Sequence, residues 1–334
     1  MTNPLVSVII PAYNADRFIE RAIGSVKAQS LADWELIIVN DGSTDQTPSV
    51  IEAAKGEDIR IQCIHQENLG LSHARNAGLR ASKGEYIQFL DADDKLLPRK
   101  LEVSLSRFQL EPDLDIVASQ ARVIDSKNSQ DKIVPLPNNN KMEQLWEKNF
   151  LVVNAPLVRK ELITRVGFFE TEDTQLYQLY GCEDWQFWLR ASLIGARLEF
   201  VAEVLVENYR HEENMSRKDI EMHLSEIWCL NSLQTKCRDA TPNTEELRVA
   251  SYLYRVCRGL AILRGHKYET MLAQFQADPL IQEQSTLRSL LRLQRALPEW
   301  VFRKLCHTIS KGYFFKLRRL IASVSPTKTR ANNR

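Results

Sequence analysis

Short apolar runs alternate with segments of helical periodicity through the N-terminal two thirds of the chain. Runs such as Leu5–Ile10 and Glu35–Val39 are typical of strands covered on both faces. Each is followed by apolar residues at three- to four-residue spacing, which favours a helix. Strands that alternate with helices form a mostly parallel sheet with right-handed crossovers. The sequence therefore predicts an α/β domain.

Strand and helix signals divide the chain unevenly. Further strands are predicted at Ile59–Ile64, before Asp91, at Asp115–Ile124 and at Leu198–Val206, and a polar loop is predicted over 125–141. Beyond about Lys218 the strand signal ends, and apolar residues recur at helical spacing. We therefore predict an α/β domain over residues 1–217 and a helical region over 218–334.

Polar residues directly follow three of the predicted strands, at Pro11–Asn14, Asp41–Asp45 and Asp91–Asp94. In open parallel sheets, ligands bind outside the carboxyl ends of the strands. Helix capping accounts for any one of these turns alone. Three turns that converge on one edge favour a binding site instead.

The run Tyr86–Leu90 ends in three aspartates within four residues, Asp91, Asp93 and Asp94. Like charges packed this closely repel one another unless a cation lies among them. Carboxylate oxygens are preferred ligands of Mg²⁺ and Mn²⁺, which commonly also hold substrate phosphates. The alternative is a solvated turn that caps the next helix.

Composition indicates an ordinary globular protein, with 44% hydrophobic and 26% charged residues. The six cysteines form no CxxC pair or zinc-like cluster, which favours a reducing compartment. No apolar run approaches the roughly 20 residues needed to span a bilayer, and no signal peptide is recognisable. We expect a cytoplasmic protein, either free or peripheral on the cytoplasmic face of the inner membrane.

The C-terminal tail is basic. Residues 300–334 hold nine Lys and Arg and no acid, although the whole chain carries only +1. Aromatic and aliphatic residues are intermixed with these charges, so the tail suits an anionic membrane interface. The alternative is a terminal helix packed on the protein with a solvated basic face. Nucleic acid is not expected as a partner, because the basic charge lies in a tail away from the predicted site.

The motifs, taken in order, resemble those of the family 2 inverting glycosyltransferases with the GT-A fold. The resemblance covers about residues 1–216. It rests on Val6–Asn14, Val39–Asp45, Asn68–Gly78, Phe89–Asp94, Gly167–Phe169 with Glu183–Trp185, and Arg210–His211.

The resemblance implies that six residues bind the nucleotide of a UDP-sugar. Asp41 would bond the uracil edge, Asp91 would face the ribose, and Arg75 would lie near the nucleotide. Many relatives have two aspartates where this chain has Asn40-Asp41, so the resemblance indicates the nucleotide base less specifically. The remaining residues border the nucleotide: Pro11, Tyr13 and Asn14.

The resemblance also implies a metal and a base. Asp93 would coordinate Mg²⁺ or Mn²⁺, with His211 near the metal and the diphosphate. Asp184 would be the catalytic base and Glu183 an orienting neighbour, although both acids could merely complement a helix dipole. His211 directly follows Tyr209-Arg210 here, whereas relatives usually have an intervening residue, and this leaves its role open.

The predicted activity is therefore metal-assisted, inverting transfer of a sugar to an acceptor hydroxyl. The acceptor would be a saccharide or lipid-linked saccharide, in the assembly of cell-surface polysaccharide, lipopolysaccharide or glycolipid. Two alternatives stay open. One is a sugar-phosphate nucleotidyltransferase, although the Gly-rich basic loop expected after its first strand is missing. The other is a non-catalytic scaffold that binds nucleotide.

Overall fold

The computed structural model describes residues 3–125, 131–137, 142–171, 181–211, 219–240, 242–262 and 299–323. They form two compact units. The first contains the described residues of 1–145, 149–174 and 183–217, and the second those of 146–148, 175–182 and 218–334. The division into domains after residue 217 stays a prediction, since two short earlier segments group with the C-terminal unit.

The first unit is a mixed sheet flanked by helices, which confirms the predicted fold class. Its strands are β1 Val6–Ala12, β2 Trp34–Asp41, β3 Ile61–Gln66, β4 Tyr86–Phe89, β5 Lys95–Leu96, β6 Ile116–Asp125, β7 Lys132–Ile133, β8 Pro156–Arg159 and β9 Leu198–Arg210. Its helices are α1 Ile19–Lys27, α2 Thr47–Lys55, α3 Leu71–Ala81, α4 Lys100–Leu110, α5 Lys160–Val166 and α6 Glu183–Leu193, and a 3₁₀ turn covers Met142–Trp146.

The strand order is β3-β2-β1-β4-β8-β6-β9-β5, and β7 pairs with β6. Strands β1 to β4 pair in parallel, as do β6 and β9. Strand β8 lies antiparallel between β4 and β6, and β5 is antiparallel to β9. The carboxyl ends of β1, β2 and β4 therefore meet at one edge of the sheet.

Burial explains why β1 and β2 are mostly apolar. Every residue of β1 and β2 is buried, because helices cover both faces of the sheet. Helix α1 buries Ile19, Ala22, Ile23 and Val26, whose spacing forms one helical face.

Some predicted boundaries were wrong. Ile59 was assigned to the third strand but is 94% exposed, because β3 begins at Ile61, after a turn in which Asp58 pairs with Arg60. Strand β9 continues past Val206 to Arg210, which brings His211 to its end. Strands β5, β7 and β8 were not predicted, since two to four residues give little periodic signal.

The described part of the second unit is mainly helical: α7 Asp219–Ser232, α8 Gln234–Ala240, α9 Pro242–Ile262 and α10 Glu299–Ser323. Helix α10 packs a stripe that includes Cys306, Ser310, Leu317 and Ile321, and the ring centroid of Phe314 lies 5.3 Å from that of Tyr254 on α9. Among the described residues, no helix is long and apolar enough to cross a membrane. The other tail residues, 324–334, lie outside the described ranges.

Candidate active site

The turn after β1 is tied to the turn after β2. Pro11 is buried within β1, whereas Tyr13 is 49% exposed beyond it. Asn14 has a φ of 49°, a conformation that asparagine adopts more readily than most residues. Its Oδ1 accepts a hydrogen bond from the Thr44 amide at 2.9 Å, and its own amide donates to Ser43 Oγ at 3.0 Å. The two turns thus form one hydrogen-bonded surface.

Asp41, at the end of β2, holds the segment that leads into α3. Its carboxylate accepts from Gln66 Nε2 at 2.7 Å and from the amides of Leu69 and Gly70 at 3.0 and 2.8 Å. Gly42 follows with a φ of +71°, and a Cβ there would lie 2.6 Å from the Asn68 nitrogen. A carboxylate has about four acceptor positions, and the described part of the chain fills three of those of Asp41, which is almost fully buried.

The acidic turn after β4 meets the end of β9. Asp93 Oδ2 lies 3.0 Å from His211 Nε2, and both side chains are only partly exposed. The His211 ring stacks on Phe18, with centroids 4.4 Å apart. Burial and the negative charge of Asp91 raise the pKa of Asp93, although its bond to His211 opposes that rise. The third aspartate, Asp94, is almost fully buried.

Arg75 connects the acidic turn with α6. Its guanidinium donates to Asp91 Oδ1 at 2.8 Å and to Glu183 Oε1, and only 2% of the side chain is exposed. Burial alone would lower the pKa of Arg75, but the charges of Glu183, Asp91 and Asp184 raise it above its ordinary value. The arginine therefore stays charged between two groups of acids.

Asp184 lies in the first turn of α6, beside Glu183. Burial, followed by the charge of Glu183, raises the pKa of Asp184 to about 7, while Arg75 opposes that rise. Asn149 Nδ2 approaches the carboxylate at 3.3 Å, and the Trp185 amide donates to it at 2.6 Å. A carboxylate with this pKa can accept a proton near neutral pH, as a general base must.

The chemistry of Asp93 and His211 fits a divalent cation. Burial and the charge of Asp91 disfavour the ionised form of Asp93, and a bound cation would stabilise that form. Among the described residues, only Glu52, Cys63 and His65 bring three ligand atoms within 4.8 Å of one another. A cation at Asp93 and His211 would therefore need further oxygen ligands, which the phosphates of a substrate can supply.

The structure thus brings the predicted residues together in three groups. Asn14 belongs to the joined turns after β1 and β2, Arg75 contacts Asp91, and Asp93 contacts His211. Several polar neighbours were not predicted as site residues, because no motif marks them. They are Arg21, which donates to the Asp93 carbonyl; Asn149 and Asn154; and Asn208, which donates to Asp94.

Residues 7–189 match the family described as Glycosyl transferase family 2. The chain belongs to this family. Among curated proteins it is similar to the "Uncharacterized glycosyltransferase EpsJ" of Bacillus subtilis (strain 168), with 33% identity over 221 residues. The match covers 63% of this chain and 62% of EpsJ, slightly less than two thirds of that relative.

Solved structures share the fold of this family member. S. aureus TarS 1-349 in complex with UDP-GlcNAc has a TM-score of 0.66 at 19% identity, and the match covers 92% of each chain. The mannosyltransferase PcManGT from Pyrobaculum calidifontis, in complex with GDP-Man and Mn²⁺, has a TM-score of 0.58 at 20% identity. That match covers 97% of this chain and 88% of PcManGT.

Proposed function

We propose that the protein transfers a sugar from a nucleoside diphosphate, most simply UDP, to an acceptor hydroxyl with inversion at the anomeric carbon. The observation that carries the proposal is the position and pKa of Asp184. Its pKa is raised to about 7, and Arg75 links the adjacent Glu183 to the acidic turn. A base for the acceptor and a group of acids for the donor thus belong to one ion-pair network.

In the proposed reaction, Asp184 takes the proton of the acceptor hydroxyl as its oxygen forms a bond to the anomeric carbon. The bond from that carbon to the diphosphate oxygen breaks on the opposite side, so no covalent intermediate forms. Asp93 and His211 would hold Mg²⁺ or Mn²⁺, which supplies Lewis-acid stabilisation of the departing diphosphate. Glu183 raises the pKa of Asp184 and Arg75 opposes that rise, so the pKa of the base lies near neutral pH, which suits proton transfer.

We assign the nucleotide to the joined turns. Asp41 would accept a hydrogen bond from the imide N–H of uracil at the acceptor position that the described residues leave, and Asp91 would face the ribose. Arg75 and the residues at the end of β1 would complete the nucleotide site; the latter are Pro11, Tyr13 and Asn14. TarS binds UDP-GlcNAc and PcManGT binds GDP-Man with Mn²⁺. The test of the donor therefore includes both UDP-sugars and GDP-sugars.

The test is turnover of a panel of UDP- and GDP-sugars with saccharide acceptors, with and without Mn²⁺ or Mg²⁺. Release of UDP or GDP, together with an inverted anomeric configuration in the product by NMR, is the expected result. Release of pyrophosphate would instead indicate nucleotidyl transfer. Nucleotide and metal binding without turnover of any donor would favour the non-catalytic scaffold.

We further propose that the acceptor is a saccharide, lipid-linked in the simplest case, and that α10 faces the anionic cytoplasmic surface of the membrane. The side of α10 opposite its buried stripe exposes four basic residues, together with Phe315, which is 64% exposed. A basic face with an aromatic side chain suits an anionic interface. The basic residues are Lys304, Lys311, Lys316 and Arg319.

Liposome flotation of the full chain tests this location. Replacement of the four basic residues of α10 by Gln should abolish binding to vesicles that contain anionic lipid, because each charge contributes about 1 kcal/mol. The matched control replaces four exposed lysines outside α10 by Gln: Lys27, Lys83, Lys132 and Lys148. Equal flotation of wild type and the α10 variant would remove the membrane proposal and favour a solvated basic face.

A further inference from the structure

Asp94 differs from the other two aspartates of the turn. It is 4% exposed, and it accepts hydrogen bonds from three donors that come from outside the turn. Asn208 Nδ2 and the Tyr209 amide donate at 2.7 Å each, and Asn154 Nδ2 is the third donor. Three protein donors occupy this buried carboxylate, so it is a poor candidate for a ligand.

These bonds fix both sides of the acidic turn. Asn154 is fully buried and also accepts from the Asp91 amide at 2.7 Å through Oδ1. The carbonyl of Asn154 accepts from Gln88 Nε2 on β4 at 2.8 Å. One asparagine thus ties the strand before the turn, the first aspartate and the last aspartate together.

The other two donors to Asp94 lie near the end of β9. Asn208 and Tyr209 precede His211 by three and two residues, so their bonds to Asp94 set where β9 delivers the imidazole. Arg21 adds to this attachment, because its guanidinium lies 3.6 Å from the centre of the Tyr209 ring and donates to the Asp93 carbonyl. The 3.0 Å contact between His211 and Asp93 is formed just beyond these bonds.

A carboxylate suits this position better than an amide. Three N–H donors converge on it, and an asparagine would direct its own N–H groups toward at least one of them. A buried donor left without an acceptor costs about 1–3 kcal/mol. Burial and the charges of Asp93 and Asp91 raise the pKa of Asp94, and the bonds from the Tyr209 amide and Asn154 oppose that rise.

We propose that Asp94 is a positioning residue, which fastens the end of β9 to the acidic turn and thereby holds His211 against Asp93. The consequence for metal binding rests on the proposed function, whereas the consequence for the place of the imidazole does not. Residues that orient metal ligands typically contribute 10- to 100-fold to metal affinity.

Two measurements on the full chain test the proposal. The first is Mn²⁺ affinity by calorimetry without nucleotide, which should fall about tenfold or more in Asp94→Asn. The second is the ¹H–¹³C NMR signal of the His211 ring, assigned with His211→Gln. The Phe18 ring shifts this signal in wild type, and the signal should move toward its unstacked position in Asp94→Asn.

Two further variants separate positioning from general stability. Asp94→Asn combined with Asn208→Asp restores a donor–acceptor pair at the same net charge, and it should recover a large part of both signals. Asp115→Asn is the matched control, since Asp115 is 7% exposed and accepts from Arg165 and the Arg197 amide. It should lower the melting temperature and leave Mn²⁺ affinity and the His211 signal unchanged.

The outcomes are distinguishable. An Asp94→Asn variant with unchanged Mn²⁺ affinity and an unchanged His211 signal overturns the proposal, as does a loss of equal size in Asp115→Asn. If wild type binds neither Mn²⁺ nor Mg²⁺ but the His211 signal still depends on Asp94, the positioning role stands and the metal role of the proposed function fails.

Discussion

The acidic turn Asp91–Asp94 and the pair Glu183-Asp184 both place carboxylates side by side, but the charges of the two groups are compensated differently. In the turn, the acids face hydrogen-bond donors and an imidazole. In the pair, one acid is neutralised by Arg75, and the other keeps a pKa raised to about 7. Identical side chains thus acquire different chemistry from their neighbours.

The difference suggests a division of work. A group of acids beside an imidazole suits a cation and the diphosphate it would hold, whereas a single acid with a near-neutral pKa suits proton transfer. Arg75 contacts both groups, through Asp91 and Glu183. Substitutions in either group of acids, or of the arginine between them, therefore test this division of work.

The largest expected effect is on turnover in Asp184→Asn. An amide cannot take the acceptor proton, and a general base commonly contributes about 10²- to 10⁴-fold. Glu183→Gln should lose less, because glutamine still accepts from Arg75 and leaves Asp184 in place. Initial rates with saturating donor decide the matter, and an Asp184→Asn variant that keeps more than a tenth of wild-type activity contradicts the assignment.

The next effect is on folding. Arg75→Ala would leave Asp91 and the buried Glu183 without their counter-charge, and breaking such a pair costs about 3–5 kcal/mol. Arg80→Ala, on the exposed side of the same helix, is the matched control and should change the free energy of unfolding by about 0.5 kcal/mol or less. Urea unfolding measures both, and equal values would show that Arg75 does not link the two groups.

A smaller effect is expected in the pH dependence of kcat/KM. Asp184 must be ionised to act as a base, so activity should rise with pH around a midpoint of about 7. The charge of Glu183 raises this pKa and Arg75 lowers it, so Glu183→Gln should move the midpoint down by about one pH unit. A midpoint that stays fixed, or that rises, would show that Glu183 does not set the pKa of the base.

A last effect concerns stability and has the opposite sign to the loss of activity. The pKa of Asp184 is about 7 in the folded protein and about 3.9 when unfolded. Between these values the folded state holds a proton that the unfolded state has released, so wild type loses stability as pH rises from about 4 to 7. Asp184→Asn lacks this loss.

The corresponding measurement compares melting temperatures at pH 4.5 and pH 8. Relative to wild type, Asp184→Asn should gain on the order of 3 kcal/mol more at pH 8 than at pH 4.5, which corresponds to a difference of several degrees in melting temperature. Asp58→Asn is the control, because the bond to Arg60 lowers the pKa of Asp58 and outweighs the opposing effect of burial. A gain for Asp184→Asn that does not depend on pH contradicts the raised pKa.

The sequence predicted the strands that end at the site, because buried parallel strands such as β1 and β2 are continuous apolar runs. It did not predict β8, which has four residues and begins with Pro156. Antiparallel pairing of β8 with β4 and β6 depends on distant strands, so local periodicity does not report it. The antiparallel part of the sheet could therefore not be predicted from the spacing of apolar residues.

The same limit applies to the candidate site. Asp91, Asp93 and Asp184 were predicted from motifs, and their individual roles stay predictions. The bond between Arg75 and Glu183 joins residues 108 positions apart, and no local pattern indicates it. Asp94 was indistinguishable from its neighbours in the sequence, since only the folded chain shows that its carboxylate faces Asn154, Asn208 and the Tyr209 amide.

The division of work between the two acidic groups is tested most directly by calorimetry of UDP binding, with and without Mn²⁺, in wild type, Asp93→Asn and Asp184→Asn. We predict that Asp184→Asn keeps the Mn²⁺-dependent gain in UDP affinity within a few-fold of wild type. Asp93→Asn should lose about tenfold or more of that gain. Equal losses in both variants, or an unchanged gain in Asp93→Asn, would contradict the account.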